Sequence, residues 1–258
     1  MQKVSIITPS YHQVDYLEST IQSVFNQTYP LIEYFIIDGG SDDGSIDVIK
    51  SYQDKLAGWI SEADEGQTDA INKGFAMATG EIIAWLNSDD TYHPQAVEQA
   101  VAFLDDHPDV GLVYGDANYV DKYGDVIGQF PAAQTSLRQL RRGYVHIPQQ
   151  AAFFRKQLWD QVGPLDPDFF FAMDYDLWVR LAGITNVKYV KQTWANFRLH
   201  QDAKTISADD RCWPEMLKVH YRDGGQYFSV IQMKYYLRKI AAPWIRYKRK
   251  RLFKKIGR

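Results

Sequence analysis

The sequence predicts an α/β protein built on a mostly parallel sheet with helices on both faces. Three observations predict it. Over the first half, apolar β-branched segments alternate with segments of helical period. Glycine, proline, aspartate and serine punctuate nearly every junction. Three of the apolar segments run into polar clusters, "TPSY", "DGGSDDGS" and "NSDD". In such sheets ligands bind beyond the carboxyl ends of the strands, so the clusters would share one rim.

The elements follow in order. "KVSIITPS" is a strand closed by Pro9, and "DYLESTIQSVFNQ" places Leu17, Ile21, Val24 and Phe25 at helical spacing. "IEYFIID" is a second strand, after which Ser45 is expected to cap a helix over "IDVIKSYQDK". "LAGWISE" reads as a shorter third strand, and "DEGQTDAINKGFAMATG" as a loop and a helix stopped by Gly80. "EIIAWLN" is the fourth strand. "PQAVEQAVAFLDDHP" is a helix with Pro94 in its first turn, ending before Pro108. "VGLVYGDANYVD" and "VIGQF" flank "KYGD" as a hairpin. Beyond it, "RKQLWDQVG", "DYDLWVRLAG" and "PEMLKVHYR" read as helices and "VKYVKQTWANFRLH" as a strand. No internal repeat or low-complexity linker appears, so the simplest division is one domain over 1–223 and a basic tail over 224–258.

Composition narrows the class. The 258 residues are 45% hydrophobic and 24% charged, as in ordinary soluble domains. The 7 Trp, 17 Tyr and 13 Phe suit sugar or nucleotide sites as well as a core. A single cysteine, Cys212, excludes an internal disulfide and fits a reducing compartment or simple indifference to redox. The N-terminus is too poor in apolar residues for a signal peptide. No stretch approaches the roughly 18 apolar residues of a spanning helix. The net charge of -3 conceals an asymmetry: 224–258 holds eleven Lys and Arg with no acid, leaving 18 basic against 32 acidic residues elsewhere, a net of -14.

Several clusters can carry chemistry, and each has a plainer alternative. Asp89 and Asp90 are adjacent acids at a strand tip. They either hold a divalent cation, which favours carboxylate oxygens and keeps positions for phosphates, or cap the next helix. "DGGSDDGS" brings a close backbone approach at its paired glycines and an acid, Asp38, able to bind a nucleoside, but such loops are also common turns. Neither G-x-G-x-x-G nor G-x-x-x-x-G-K-[ST] occurs, which argues against a nicotinamide dehydrogenase and a P-loop ATPase. Asp174 follows three phenylalanines and Met173, surroundings that suit a general base; Asp174 and Asp176 can equally cap a helix. His200 on its own reads as an ordinary histidine.

Taken in chain order, "SIITPSYHQVDYLESTIQSVFNQTYPLIEYFIIDGGSDDGS", "SEADEGQTDAINKGFAMATGEIIAWLNSDD", "IPQQAAFFRK", "FAMDYDLWVRLAG" and "FRLH" resemble the inverting family 2 glycosyltransferases of GT-A fold, over about residues 3 to 205. The resemblance implies a Rossmann-like, mostly parallel sheet and sugar transfer from a nucleotide-sugar donor. It implies nucleotide contacts from Thr8, Pro9, Ser10 and Tyr11, from Asp38 and Gly39, from Asp69 and Lys73, and from Asn87 and Ser88. "NSDD" stands where the family has its D-x-D motif, with Asn87 in place of the first acid, so Asp89 and His200 become the expected ligands of Mn2+ or Mg2+. Asp174 matches the catalytic base; Met173 stands in place of the usual glutamate before it. The expected acceptor is a glycan or lipid-linked hydroxyl, in surface polysaccharide synthesis, with a UDP-sugar as the expected donor.

The tail mixes cations with Trp244, Tyr247, Leu252, Phe253 and Ile256. It is expected to form a basic amphipathic helix on an anionic membrane surface, where each Lys or Arg adds about 1 kcal/mol. A solvated end or a nucleic-acid patch are the alternatives, and the acidic body argues against nucleic acid. The expected place of the protein is therefore cytoplasmic, peripheral on the inner face of the membrane. Rival functions are a sugar nucleotidyltransferase, whose glycine-rich triphosphate loop "TPSYHQ" lacks, and a non-catalytic nucleotide-sugar or carbohydrate binder.

Overall fold

The computed structural model describes residues 1–200 and 209–256, with side chains over 1–200 and 212–244. The tail side chains Tyr247, Leu252, Phe253 and Ile256 lie outside the described residues. Among the described residues the strands form one nine-stranded sheet. It comprises β1 (Val4–Ser10), β2 (Ile32–Asp38), β3 (Gly58–Ser61), β4 (Ile82–Trp85), β5 (Thr91–Tyr92), β6 (Val110–Val120), β7 (Val126–Gln129), β8 (Ala152–Arg155) and β9 (Asn186–Arg198). The order is β3-β2-β1-β4-β8-β6-β9-β5, with β7 hairpinned onto β6. Strands β3, β2, β1 and β4 are mutually parallel; β8 runs against both β4 and β6, and β9 is parallel to β6. The sheet is thus parallel where strand and helix alternate in the sequence, and mixed beyond.

The helices are α1 (Val14–Phe25), α2 (Ser45–Tyr52), α3 (Gln67–Met77), α4 (Ala96–Asp106), α5 (Leu137–Leu140), α6 (Lys156–Val162), α7 (Met173–Ala182), α8 (Asp209–Arg222) and α9 (Val230–Ile256). The strands separate two cores by their period of two. Ile6, Ile36 and Ala84 face Leu17 and Ile21 of α1 and Val97 and Leu104 of α4. Ile7, Ile37 and Trp85 face Ile71 and Phe75 of α3 and Leu177 and Trp178 of α7. Trp85 and Trp178 stack at 5.7 Å, and Phe75 packs edge-on against Trp85. Burying each such apolar side chain contributes about 1.5–3 kcal/mol, so the buried and largely apolar strands β1, β2 and β4 make this half the platform.

Four expectations at element ends differ. Ser45 does not cap α2: it is the first helical residue, its hydroxyl accepts the Gln13 N–H, and Asp43 accepts the Ser45 N–H. Gly80 does not stop α3, which ends at Met77 with an extended Ala78; a Cβ at Gly80 would lie 2.7 Å from the Lys3 carbonyl oxygen, so glycine is there for close approach to β1. Pro94 precedes the Gln95 cap of α4 and is not in its first turn. Helix α8 begins before Pro214, not at it. The short strands β5 and β8 were not legible as strands: β5 has two residues, and β8 pairs only two or three residues with each neighbour.

The compositional break at 223/224 is followed by α9, whose first turn packs on the body. Ile231 is fully buried there. Among the described residues, no helix is long and apolar enough to cross a membrane.

Candidate active site

The tip of β4 resolves the two adjacent acids into different roles. After Leu86, whose N–H bonds the Ile7 carbonyl, the chain turns and the Asp90 N–H bonds the Asn87 carbonyl. Asp90 points inward and is buried. It accepts from the Arg198 N–H (2.9 Å) and from the Asn87 amide (3.3 Å). Burial, and then the charge of Asp89, push its carboxyl well above the ordinary range against those hydrogen bonds. Asp89 points the other way, with Oδ2 3.0 Å from His200 Nε2. The Thr20 hydroxyl donates toward the carbonyls of Ser88 and Asp90, tying the turn to α1.

Arg198, at the end of β9, holds His200 against this turn. Its Nε donates to the Asp89 carbonyl (2.8 Å) and its guanidinium also reaches the carbonyls of Asp121 and Lys122. Tyr16 of α1 lies under both Arg198 and the His200 ring, 4.8 Å from the latter. Asn87, in place of the first acid, is a junction: its oxygen accepts from Gln67 (2.7 Å), and its amide donates to Asp90 and to Gln149 (3.2 Å). An aspartate here would add a third negative charge beside Asp89 and Asp90 and could donate to neither neighbour.

The loops after β1 and β2 are joined by the Gly39 N–H to the Ser10 carbonyl and by the His12 N–H to the Ser41 hydroxyl. Thr8, Pro9 and Ser10 belong to β1 and are buried, Thr8 against the Tyr34 hydroxyl at 2.8 Å; Tyr11 is 58% exposed and stacks on His12. The Asp38 carboxylate is fully buried and takes four hydrogen bonds, from the Gly40 and Ser41 N–H groups and the Ser41 and Ser61 hydroxyls. It shapes its loop. A Cβ at Gly39 would sit 2.9 Å from an Asp64 oxygen, so the glycine leaves room for that carboxylate. On α3, Lys73 pairs with Glu62 (2.8 Å) and Asp69 (3.1 Å), and the bond to Glu62, then that to Asp69, raises its pKa.

Asp174 stands half-buried in the first turn of α7, its Oδ1 accepting the Tyr175 N–H. The loop before it is pinned by Glu215 of α8, which accepts from the Phe171 and Ala172 N–H groups. Asp176 is buried and paired with Arg180 and Arg222, a structural ion pair holding α7 to α8. The first turn of α3 joins the two acidic elements: Gln67 donates to Asn87, and the hydroxyl of Thr68 lies 2.9 Å from the Met173 sulfur. The first turn of α3 thus touches both the turn that carries Asp89 and the helix start that carries Asp174. Gln67, Gln149, Arg198 and Tyr16 went unread beside the candidate site, and Asp90, expected with Asp89 as cation ligand or cap, is instead a buried acceptor of the Arg198 N–H; Arg198, two residues before the expected ligand His200, had the clearest signal.

The carboxylate of Asp89 and imidazole of His200 suit a divalent cation that takes oxygen and nitrogen ligands. Among the described residues no group of three His, Cys, Asp or Glu assembles a site, so a cation there would complete its shell from ligand phosphates and water.

The sequence model of Glycosyl transferase family 2 matches residues 5–178. The chain is 36% identical over 182 residues to the uncharacterized glycosyltransferase MT1564 of Mycobacterium tuberculosis, covering 69% of this chain and 68% of that one. It is 28% identical over 223 residues to the uncharacterized glycosyltransferase alr2836 of a Nostoc species, covering 80% and 67%. Two solved structures share the fold. TarS 1-349 of S. aureus, in complex with UDP-GlcNAc, has a TM-score of 0.70 at 17% identity over 93% of this chain and 73% of that one. The mannosyltransferase PcManGT of Pyrobaculum calidifontis, in complex with GDP-Man and Mn2+, has a TM-score of 0.67 at 20% identity over 94% and 71%. The longer TarS chain is matched over only 44% of its length. The fold is GT-A, the chain is a glycosyltransferase, and it belongs to glycosyl transferase family 2.

Proposed function

We propose that the protein transfers a sugar, with inversion, from a nucleoside-diphosphate sugar to a hydroxyl of a glycan or lipid-linked acceptor, in the making of a surface polysaccharide. The observation that supports the reading is the first turn of α3, where Gln67 bonds Asn87 of the turn that carries Asp89 and Thr68 contacts Met173, the residue before Asp174. Asp174 accepts the proton of the acceptor hydroxyl. The acceptor oxygen forms its bond to the anomeric carbon as the bond to the donor phosphate breaks, and the nucleoside diphosphate departs with the electron pair. Inversion follows because attack and departure occur on opposite faces. Asp89 and His200 would hold Mn2+ or Mg2+, which supplies positive charge to the leaving diphosphate when bound. Tyr11, Gly39, Asp69, Lys73 and Ser88 fall to the nucleotide, within the frame that Thr8, Pro9, Ser10 and Asp38 set from inside. A uridine donor is the reading we favour, supported by the UDP-GlcNAc held by TarS, whereas PcManGT holds GDP-Man.

Asp174→Asn tests the reading. Proton removal alone is lost, so turnover is expected to fall at least about 100-fold with nucleotide affinity within twofold. Transfer at the wild-type rate would remove Asp174 from the reaction.

A further inference from the structure

Helix α9 is turned inside out for a surface helix. Ordinarily the apolar stripe faces the protein and the charges face water. Here Ile231 is fully buried beside Gly143, but the next inward positions are cations. Lys234 donates to the carbonyls of Arg142 and Gly143 and lies over the Tyr144 ring, and Arg238 lies over Trp213. The opposite face carries Met233, Tyr236, Leu237, Ile240 and Trp244, each between 54% and 79% exposed. Their spacing forms one continuous stripe along the helix. Phe228, just before the helix, is fully exposed as well.

A cleft of about 510 Å³ opens where α9 begins, lined by Arg138, Arg142, His220, Ser229 before the helix and Val230 at its start, among others. Arg141, also on its wall, is paired with Asp223. Among the described residues, neither Arg138 nor Arg142 has a carboxylate within ion-pair distance. Apolar stripe and cationic cleft are thus linked by α9: the cleft opens at its first residue, Val230, and the stripe runs on from Met233.

We propose that α9 lies in the plane of an anionic bilayer, with the stripe among the acyl chains and Arg138 and Arg142 on lipid phosphates. The charge of the segment selects this occupant: 224–258 holds eleven Lys and Arg and no acid. A second copy would bring the same uncompensated positive segment to the contact, whereas an anionic surface neutralises it. A bilayer satisfies both features at once, hydrocarbon for the stripe and phosphate for the cations, and Tyr and Trp suit its interface. No described helix is apolar enough to span, so the contact is lateral.

The test uses the full chain and sedimentation with phosphatidylcholine vesicles, with and without about 30% phosphatidylglycerol. The chain is expected to sediment with the anionic vesicles at least tenfold more than with the neutral ones, and less as salt rises. The double variant L237E/I240E should lose at least tenfold in partitioning, and R138Q/R142Q severalfold, with thermal midpoints unchanged because all four sites are exposed. Should the charged pair fail to fold, Y236S/I240S removes the same stripe without charge. Wild-type chain that stays in the supernatant overturns the proposal, as does equal sedimentation of L237E/I240E. A wild-type dimer in light scattering that L237E/I240E dissociates would assign the stripe to a second copy and overturn it too.

Discussion

Asp89 and Asp90 are one peptide bond apart, and their substitutions should separate cleanly. Asp89 projects toward His200, so D89A removes a proposed cation ligand and leaves the core untouched. Calorimetry on the wild type should show nucleotide affinity falling at least tenfold with a chelator, and D89A should show no such difference. Asp90 is buried and accepts the Arg198 N–H. D90A orphans that donor and should cost about 1–3 kcal/mol in a denaturant melt. A third acid works at the opposite end of the sheet. Burial alone would raise the Glu33 carboxyl, but hydrogen bonds from Ser5, Thr79 and Gly80 outweigh it and hold the group below its ordinary value near 4.5. A lowered folded pKa means stability that is present above about 4.5 and lost as pH falls through the folded value. E33Q should therefore melt earlier than wild type at pH 7 by about 1–2 kcal/mol. The gap should narrow as melts are taken progressively below about pH 4.5 and through the folded value, since the wild type loses the ionised carboxylate there.

Among the elements, α3 is the one on which the site turns. It packs on β1 through Gly74, where an added Cβ would lie 2.3 Å from Ile7 Cγ2. Alanine would favour the helix by about 1 kcal/mol, yet the overlap should cost about 1–3 kcal/mol and displace the helix. Because the first turn of α3 carries Gln67 and Thr68, G74A should also slow transfer. G80A is the comparison: its overlap is with Lys3 and Ser5 at the far end, so it should destabilise comparably while specific activity of the folded fraction stays near wild type. The elements that frame this site were the legible ones. The apolar runs of β1, β2 and β4 and the spacing of Leu17, Ile21 and Val24 state their structure locally. What the chain does not state locally is pairing at a distance. β8 is a strand because β4 and β6 flank it, and Ser45 does not cap α2 because Gly44 holds the cap position while the Ser45 hydroxyl is taken by the distant Gln13 N–H. The acid pair at 89 and 90 could be read as metal site or cap, but only the approach of β9, 108 residues on, divides the two carboxylates between anchor and rim.

At the scale of the whole molecule, the candidate site is assembled from segments that folding alone brings together: the ends of β1, β2 and β4, the start of α3, the start of α7 and the end of β9. A ligand that spans them binds the folded chain and has no counterpart site on the unfolded one. It must then raise stability by mass action, by about 2.7 kcal/mol at one hundred times its dissociation constant. For a chain of this size each kcal/mol moves the thermal midpoint by roughly 2–4 °C. A panel of nucleoside diphosphates with Mn2+ should therefore yield one base that raises the midpoint by about 5–10 °C. The shift should vanish with chelator and in D89A, but persist in D174N, because Asp174 is assigned to the acceptor proton and not to donor binding. A shift that survives chelation and D89A would place the nucleotide elsewhere than at the Asp89–His200 tip. One that disappears in D174N would make that carboxylate part of the donor site, and the division of labour between β4 and α7 would have to be redrawn.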